Sequence, residues 1–272
     1  MSKSTPIVVA VGTTDSEAAL QYAAREALLV DAPLRLVHVL QIPERDAIAA
    51  GVYQDVLAES TAILGRAEER ARTLTDGRVS VTTELRDQSP TSAALVGSTQ
   101  PARQIVLQHR HLSPARRFFA GSTVCGVAAR APVPVVVVPA VWHPGAAPRP
   151  VVAAVQDGLE APAVLSCAYG EAEHRGADVV ILHAWWLSSG FDVVAVDDDY
   201  RQQRAAEFEH ELTPIMEAMA AEWPDVDATV AVVHALRLKR CSTGRSGPSC
   251  WSSADGITSC RSAVISAPWP GQ

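Results

Sequence analysis

Short apolar runs alternate with segments of helical periodicity along the first half of the chain. Ile7–Val11 and Leu34–Val39 are apolar almost throughout, so both faces of these predicted strands are expected to be buried. Between them, apolar residues recur at helical spacing from about Ser16 to Asp31, and Asp15 and Ser16 are placed to cap that helix. Strands that alternate with helices predict right-handed crossovers and a parallel sheet.

The same alternation continues to about residue 140. The further predicted helices are Asp55–Asp76, Pro90–Thr99 and Gly121–Arg130, and the further strands are an edge strand Arg78–Leu85, then Gln104–Leu107 and Pro134–Val138. The predicted fold class is α/β, with a doubly wound parallel five-stranded sheet. Such sheets bind ligands beyond the carboxyl ends of their strands, where the strand order reverses. The candidate site therefore lies at the loop after Val11, at Val39–Leu40 and at the loop from Gln108 to Ser122.

The pattern then starts again in the second half of the chain. Strand, helix and strand recur at Val151–Val155, at about Glu160 to Gly176, and at Asp178–Ala184. Val11 and Val155 are 144 positions apart, and His38 and His183 are 145 apart. A near-constant offset indicates a duplicated domain. The predicted domains are residues 1–140 and 150–235, joined by a linker at 141–149.

The second copy is predicted to be incomplete. Its third strand is expected at Ala228–Val233, but residues 236–272 show neither helical nor strand periodicity and are expected to form an irregular, poorly ordered tail. No counterpart of Ile105–Gln108, of Gly121-Ser122 or of Pro134–Val138 is found there. The first strand of the second sheet is therefore expected to lack a neighbour on one side.

A frameshift near Ala235–Arg240, natural or from sequencing, is one hypothesis for this tail. If every codon ends in G or C, Ser249 is AGC, the later serines are TCG and the Pro248 codon ends in G, reading from that last base as far as Cys260 gives ELLVVGRRHHLV. That string aligns with Arg103–Leu112, which contains the fourth strand of the first domain and the start of the loop after it. The tail would then encode the missing strand in another frame.

Composition and charge restrict the classes of partner. With 272 residues and 48% hydrophobic content the chain can form real cores, and its net charge of −7 argues against a nucleic-acid-binding surface. The longest apolar run, Val133–Trp142, is interrupted by prolines and is too short to span a bilayer, so no membrane partner is expected. The N-terminus lacks the pattern of a signal peptide, and a cytoplasmic location is expected. Cys125 and Cys167 are predicted to be small buried hydrophobes.

Three segments carry a resemblance to a known family. They are the run Gly121–Ala128 followed by Ala131–Val138, the strand end Leu36–Val39, and Ile181–Trp185. With the order of elements, these segments resemble the universal stress protein family in its tandem form, over roughly Pro6–Pro139 and in part over Pro150–His234. The resemblance implies a duplicated adenine nucleotide alpha hydrolase-like fold, here with an incomplete second copy, and a stress-response function.

The resemblance also implies ATP binding, as in family members with a G-x2-G-x9-G-[ST] loop. Glycines there let the backbone approach the phosphates, and amides at a helix N-terminus point at the negative charge. This chain keeps the spacing but has Gln108 and His111 in place of the two early glycines, while Arg110 adds positive charge. Where the family reads V-D-G-S after the first strand, this chain reads Val11-Gly12-Thr13-Thr14, and Asp15 either takes the acidic role or caps the helix.

The candidate nucleotide-binding residues are those of the two loops and of the second strand. They are Val11, Gly12, Thr13, Val39, Gln108, Arg110, His111, Gly121, Ser122 and Thr123. The expected ligand is ATP, with Mg²⁺ accompanying it, and no catalytic or metal-ligating residue is assigned. Two functions remain open: a nucleotide-binding stress protein without efficient catalysis, or a degenerate scaffold that binds no ATP and acts through dimerisation or partner contacts. A homodimer through Pro134–Val138 is the expected assembly.

Overall fold

The computed structural model describes residues 5–41, 50–87, 89–109, 123–145, 150–187, 196–234 and 264–265. The chain divides into two compact units, Met1–Gly145 and Ala146–Gln272. No helix among the described residues has both the length and the apolar character needed to cross a membrane.

The first unit alternates strand and helix as predicted. Its elements are β1 (Ile7–Ala10), α1 (Glu17–Leu29), β2 (Leu34–Val39), α2 (Ala50–Leu74), β3 (Val81–Arg86), α3 (Thr91–Gly97), β4 (Gln104–His109), α4 (Thr123–Ala128) and β5 (Val135–Pro139). The five strands form one sheet in the order β3-β2-β1-β4-β5, and every neighbouring pair is parallel. The predicted fold class and the edge position of the third strand are confirmed. Because β1 lies between β2 and β4, the strand order reverses beside β1.

Two apolar cores explain why the central strands are apolar on both faces. Val9 and Leu36 pack with α1 and α2 on one face of the sheet, while Val8, Val37 and Ile105 pack with α3 and α4 on the other. Successive residues of a strand point to opposite faces, so a strand covered on both sides needs apolar residues at every position.

The second unit has a smaller sheet. Its elements are β6 (Val151–Ala154), α5 (Ala161–Arg175), β7 (Val179–Trp185), α6 (Asp198–Glu222), β8 (Ala228–His234) and β9 (Val264–Ile265). The strand order is β8-β7-β6-β9, with β9 antiparallel to β6 and the other pairs parallel. Helices α5 and α6 contribute to one core with Val151, Val179 and Ile181.

The opposite face of this second sheet is less well covered. Val152 and Leu182 are half-buried, whereas Val8 and Val37, which occupy corresponding positions in the first unit, are fully buried. Among the described elements of the second unit, none corresponds to α3 or α4. The second sheet therefore has the organisation of an incomplete copy.

Two sequence-based expectations are wrong. The first strand of the second sheet does not lack a neighbour, because Ile265 and Val264 of β9 pair with Val152 and Ala153. This short apolar pair supplies backbone partners to an edge that would otherwise be open, and it lies within the tail predicted to be irregular. Cys125 is exposed and Cys167 is half-buried, so neither thiol is the buried hydrophobe predicted.

β9 occupies the place where a complete second sheet would have its fourth strand, and the frameshift hypothesis predicts that the gene encodes that strand in another frame. In the first sheet the corresponding neighbour of β1 is the parallel strand β4, reached by a helical crossover, whereas β9 is antiparallel and two residues long. We expect the nucleotide sequence of codons 248–260 to encode ELLVVGRRHHLV in the shifted frame, as the frameshift hypothesis requires. A protein expressed with that frame restored near codons 235–240 should melt at a higher temperature, because its second sheet gains a full strand. Codons whose shifted reading contains no apolar strand would disprove the hypothesis.

Candidate functional site

The candidate site lies where the carboxyl ends of β1, β2 and β4 meet. The loop that begins at Val11 follows β1, Val39 ends β2, and Gln108 is the penultimate residue of β4. The backbone amide of Val11 still donates to the carbonyl of Val37, 2.8 Å away, so the chain leaves the sheet at Gly12. The reversal of strand order between β1 and β4 opens this edge, as expected for a parallel sheet.

A buried histidine fixes the start of the loop. His38 of β2 is 2% exposed, and its Nδ1 lies 2.8 Å from the carbonyl oxygen of Val11. A carbonyl oxygen only accepts hydrogen bonds, so Nδ1 carries the proton in this contact. The bond ties the first residue after β1 to the neighbouring strand.

The loop is further ordered by its own polar side chains. The amide of Gly12 donates to the hydroxyl oxygen of Ser16 over 3.0 Å, and the amide of Glu17 donates to Oδ1 of Asp15 over 2.8 Å. Asp15 therefore caps α1, which is one of the two roles left open by the sequence. Ser16 was expected to share this role, but its hydroxyl faces back into the loop.

Gln108 connects β4 to the beginning of α1. Its Oε1 accepts from the amide of Ala19 over 3.2 Å, and its Nε2 donates to the carbonyl of Asp15 over 3.1 Å. Backbone amides in the first turn of a helix have no partner within the helix. The side chain of Gln108 thus provides an acceptor for α1 from across the point where the strand order reverses.

The predicted site residues take different positions. Val11 is buried in the core that contains α1, and Val39 is buried in the core on the other face of the sheet. Thr13 is exposed in the loop. Thr123 is the first residue of α4 and is half-buried. The remaining predicted residues, Arg110, His111, Gly121 and Ser122, lie outside the described residues. Among the residues that the structure describes, no group of three or more His, Cys, Asp or Glu side chains could hold a metal ion.

An ion pair attaches the first turn of α1 to α2. Nε of Arg70 lies 3.0 Å from both carboxylate oxygens of Glu17. The hydrogen bond from Arg70 is the main reason that the pKa of Glu17 falls below its ordinary value of 4.5. The pair keeps a charged carboxylate beside the candidate site.

Among the described residues, the second unit repeats the histidine contact, and a glutamate on its second helix bonds the loop after its first strand. Nδ1 of His183 lies 3.0 Å from the carbonyl oxygen of Val155. The amide of Gly158, in the loop after β6, donates to Oε1 of Glu211 on α6 over 3.0 Å. Oδ1 of Asp157 accepts from the amides of Leu159 and Glu160. Two carboxylates therefore occupy the loop amides in this unit, and their charge opposes the binding of a phosphate there.

Sequence reasoning missed the roles of His38, His183 and Glu211. The repeat of the two histidines at an offset of 145 was a usable signal, because the same residue type lies at the same place in β2 and in β7, the strands that pair with β1 and β6. No sequence signal identifies Glu211, which lies far from Gly158 along the chain.

A cavity of about 550 Å³ lies elsewhere in the first unit, and its lining includes Pro6, Pro33, Arg35 and Arg78. These residues are at the amino ends of β1, β2 and β3. The cavity therefore lies at the end of the strands opposite to the candidate site, which is at their carboxyl ends. The candidate site is therefore assigned from the strand order and the loop contacts.

The fold agrees with what comparison with known proteins shows. The model of the universal stress protein family matches residues 3–139. This chain belongs to the universal stress protein family. A universal stress protein of Mycolicibacterium smegmatis is 33% identical over 189 residues, which cover 66% of this chain and 63% of that relative. The match thus spans less than two thirds of that relative's length.

Other universal stress proteins match over a larger share of the chain. One from Mycobacterium tuberculosis is 27% identical over 240 residues, which cover 84% of this chain and 79% of the relative. The crystal structure of a universal stress protein from Archaeoglobus fulgidus has a TM-score of 0.62 and 13% identity, and covers 88% of this chain and 80% of its own. At that identity the likeness concerns the fold alone. The family resemblance read from the sequence is confirmed.

The ion pair between Glu17 and Arg70 predicts a pH-dependent contribution to stability. Because the folded-state pKa of Glu17 is lowered, the contribution is present above pH 4.5 and is lost as the pH falls through the folded-state pKa. The two side chains are 38% and 42% exposed, so solvent screening limits it to about 0.2–1 kcal/mol. Glu17→Gln should lower the free energy of unfolding by about this amount at pH 7, measured by urea denaturation, and by less at acidic pH.

Glu68→Gln is the matched control, since it removes an ion pair to Arg72 within α2. We expect a smaller change from it, because Arg72 is 61% exposed. A Glu17→Gln variant as stable as the original chain at pH 7 would contradict the assigned role of the pair.

Proposed function

We propose that this universal stress protein binds an adenine nucleotide, ATP with Mg²⁺, at the carboxyl edge of its first sheet and does not turn it over efficiently. The reversal of strand order beside β1, where α1 also begins, is the observation that carries the proposal. The loop that begins at Val11 and the end of β2 at Val39 would lie beside the adenine base of the nucleotide. The bonds that fix this loop favour a pre-formed site.

The phosphate side is proposed to come from the loop after β4. Arg110 and His111 would add positive charge or hydrogen-bond donors, and Gly121, Ser122 and Thr123 would bring backbone amides and hydroxyls to the start of α4. These assignments extend the motif spacing read in the sequence.

The low proposed turnover follows from the acid–base groups near the loop. A base that activates water must be able to reach the proton it removes. Oδ1 of Asp15 accepts from the amide of Glu17, and the carboxylate of Glu17 accepts from Arg70. Both carboxylates already have partners, which favours a binding role over a hydrolytic one.

Adding a negative charge to the exposed loop tests the nucleotide site. In the original chain, ATP with Mg²⁺ at a hundred times its Kd should stabilise the fold by about 2.7 kcal/mol, seen as a rise in melting temperature. Thr13→Glu should greatly reduce this shift by repelling the triphosphate. Thr73→Glu should leave the shift unchanged, because Thr73 is exposed near the C-terminus of α2, on the side of the amino ends of the strands.

Two outcomes would overturn the proposal. One is a protein that releases no adenine nucleotide on denaturation and shows no thermal shift with ATP and Mg²⁺, which would leave the non-binding scaffold as the function. The other is an equal shift in the original chain and in Thr13→Glu, which would place the nucleotide elsewhere.

A second proposal concerns assembly. β5 is an edge strand of the first sheet with an apolar sequence, and Val137 within it is 38% exposed. Val141, just beyond it, is 69% exposed. An exposed apolar edge is a surface on which another strand can pair. We propose that β5 pairs with the same strand of a second copy to form a homodimer.

A lysine at this edge tests the homodimer. Val137→Lys should shift the protein from dimer to monomer in sedimentation velocity, because a charge opposes edge pairing. Thr83→Lys, an exposed position on β3 at the other edge of the sheet, should leave the dimer intact. A monomeric original chain, or a Val137→Lys variant that remains dimeric, would refute this interface.

A further inference from the structure

The cavity at the amino ends of β1, β2 and β3 combines apolar walls with two arginines. Its volume of about 550 Å³ lies within the range of about 300–1,000 Å³ that is typical of small-molecule sites. Its apolar lining consists of Pro6, Ala32, Pro33, Val79 and Pro101. Its polar lining consists of Arg35, Arg78, Ser80, Thr82 and Asp31. Two positive charges and one negative charge therefore face a ligand together with a largely apolar surface.

Arg35 is a charged residue within a strand that is otherwise buried. It lies in β2 between Leu34 and Leu36, which are fully buried, and is itself half-buried. Its Nη1 donates to the carbonyl of Ser98 over 3.2 Å. Among the described residues, no carboxylate forms an ion pair with Arg35 or with Arg78. Burial of a cation without a counter-ion is unfavourable, so an anion in the cavity would stabilise this arginine.

The second unit shows that these strands form without the two arginines. One backbone hydrogen bond joins the start of β2 to the residue before β3, and its equivalent joins the start of β7 to the residue before β8, over 2.8 Å in both units. This equivalence aligns Arg35 with Val180 and Arg78 with Asp225. Since an apolar and an acidic residue take these places in the other sheet, the fold does not require the arginines. Their presence in the first unit points to a ligand.

We propose that this cavity is a second ligand site, which binds a small carboxylate with an apolar body. The ligand's carboxylate would accept from the guanidinium groups of Arg35 and Arg78, whose planar arrays of donors match a pair of carboxylate oxygens. Its hydrocarbon part would pack against the prolines of the wall. The carboxylate of Asp31 disfavours an anion of higher charge, such as phosphate. The site lies at the opposite ends of the strands from the proposed nucleotide site and does not depend on it.

Titration of the isotope-labelled full chain with hexanoate, followed by NMR, tests the site. Hexanoate should shift the amide signals of Leu34 and Val79, which adjoin the arginines in the sequence, and should leave that of Gly12 at the carboxyl edge unchanged. Hexanamide has the same body without the charge, and its Kd should be about tenfold higher, because charge-assisted hydrogen bonds are stronger than neutral ones. Inorganic phosphate, which has the charge without the body, should also bind more weakly than hexanoate.

Three arginine variants separate the cavity from the general charge of this end of the sheet. Arg35→Gln and Arg78→Gln should each raise the Kd for hexanoate by about tenfold, because each removes a charged donor. Arg103→Gln is the matched control, since Arg103 is exposed just before β4 at the same ends of the strands and does not line the cavity. Its Kd should equal that of the original chain. Arg78 is exposed, so Arg78→Gln provides the test even if Arg35→Gln fails to fold.

Four results would overturn the proposal. Hexanoate that leaves the Leu34 and Val79 amides unshifted would show that the cavity does not bind it. Hexanamide or phosphate that binds as tightly as hexanoate would exclude an apolar carboxylate as the class of ligand. An unchanged Kd in a folded Arg78→Gln variant, or an equal rise in Arg103→Gln, would show that the arginines of the cavity do not hold the anion. None of these results bears on ATP binding at the other ends of the strands.

Discussion

The first helix begins with backbone amides that have no partner within the helix, and the site is organised around how these donors are satisfied. At the carboxyl edge of a parallel sheet, such donors are the groups that a bound anion would use. Here Asp15 takes the amide of Glu17 and Gln108 takes that of Ala19, while Ser16 takes the amide of Gly12 in the loop. The protein itself supplies acceptors for these donors, so the loop after β1 and the start of α1 are ordered by contacts within the first unit.

The two units use one common contact and then diverge. His38 and His183 both hold the carbonyl of the residue that follows the first strand of their sheet. In the first unit the other donors go to the Ser16 hydroxyl, the Asp15 carboxylate and the Gln108 carboxamide. In the second unit they go to the carboxylates of Asp157 and Glu211. The two units therefore share an aspartate that bonds the start of the first helix, and they differ in the side chain that reaches the loop from elsewhere in the unit.

Most of the fold could be predicted from the sequence, whereas the contacts of the site could not. Continuous apolar runs such as Ile7–Val11 predict buried strands, because a strand covered on both faces needs apolar residues at every position. The hydrogen bond between Gln108 and Ala19 depends on the packing of α1 against the sheet. Gln108 was selected for its position in the motif, and that position does not indicate a bond to Ala19. The pairing of Val264–Ile265 with β6 was also missed, because two apolar residues show no periodicity. The roles of Arg110, His111, Gly121 and Ser122 remain predictions.

Hydrogen exchange at the amide of Ala19, followed by NMR in the protein without nucleotide, tests the central claim most directly. Amides in the first turn of a helix ordinarily exchange quickly, because they lack an intrahelical partner. If Gln108 holds this donor, the Ala19 amide should exchange much more slowly than that of Ala18 and should approach the protection of Leu20, which donates to Ser16 within the helix. An Ala19 amide that exchanges as fast as that of Ala18 would show that the bridge does not form, and would contradict the account of the site.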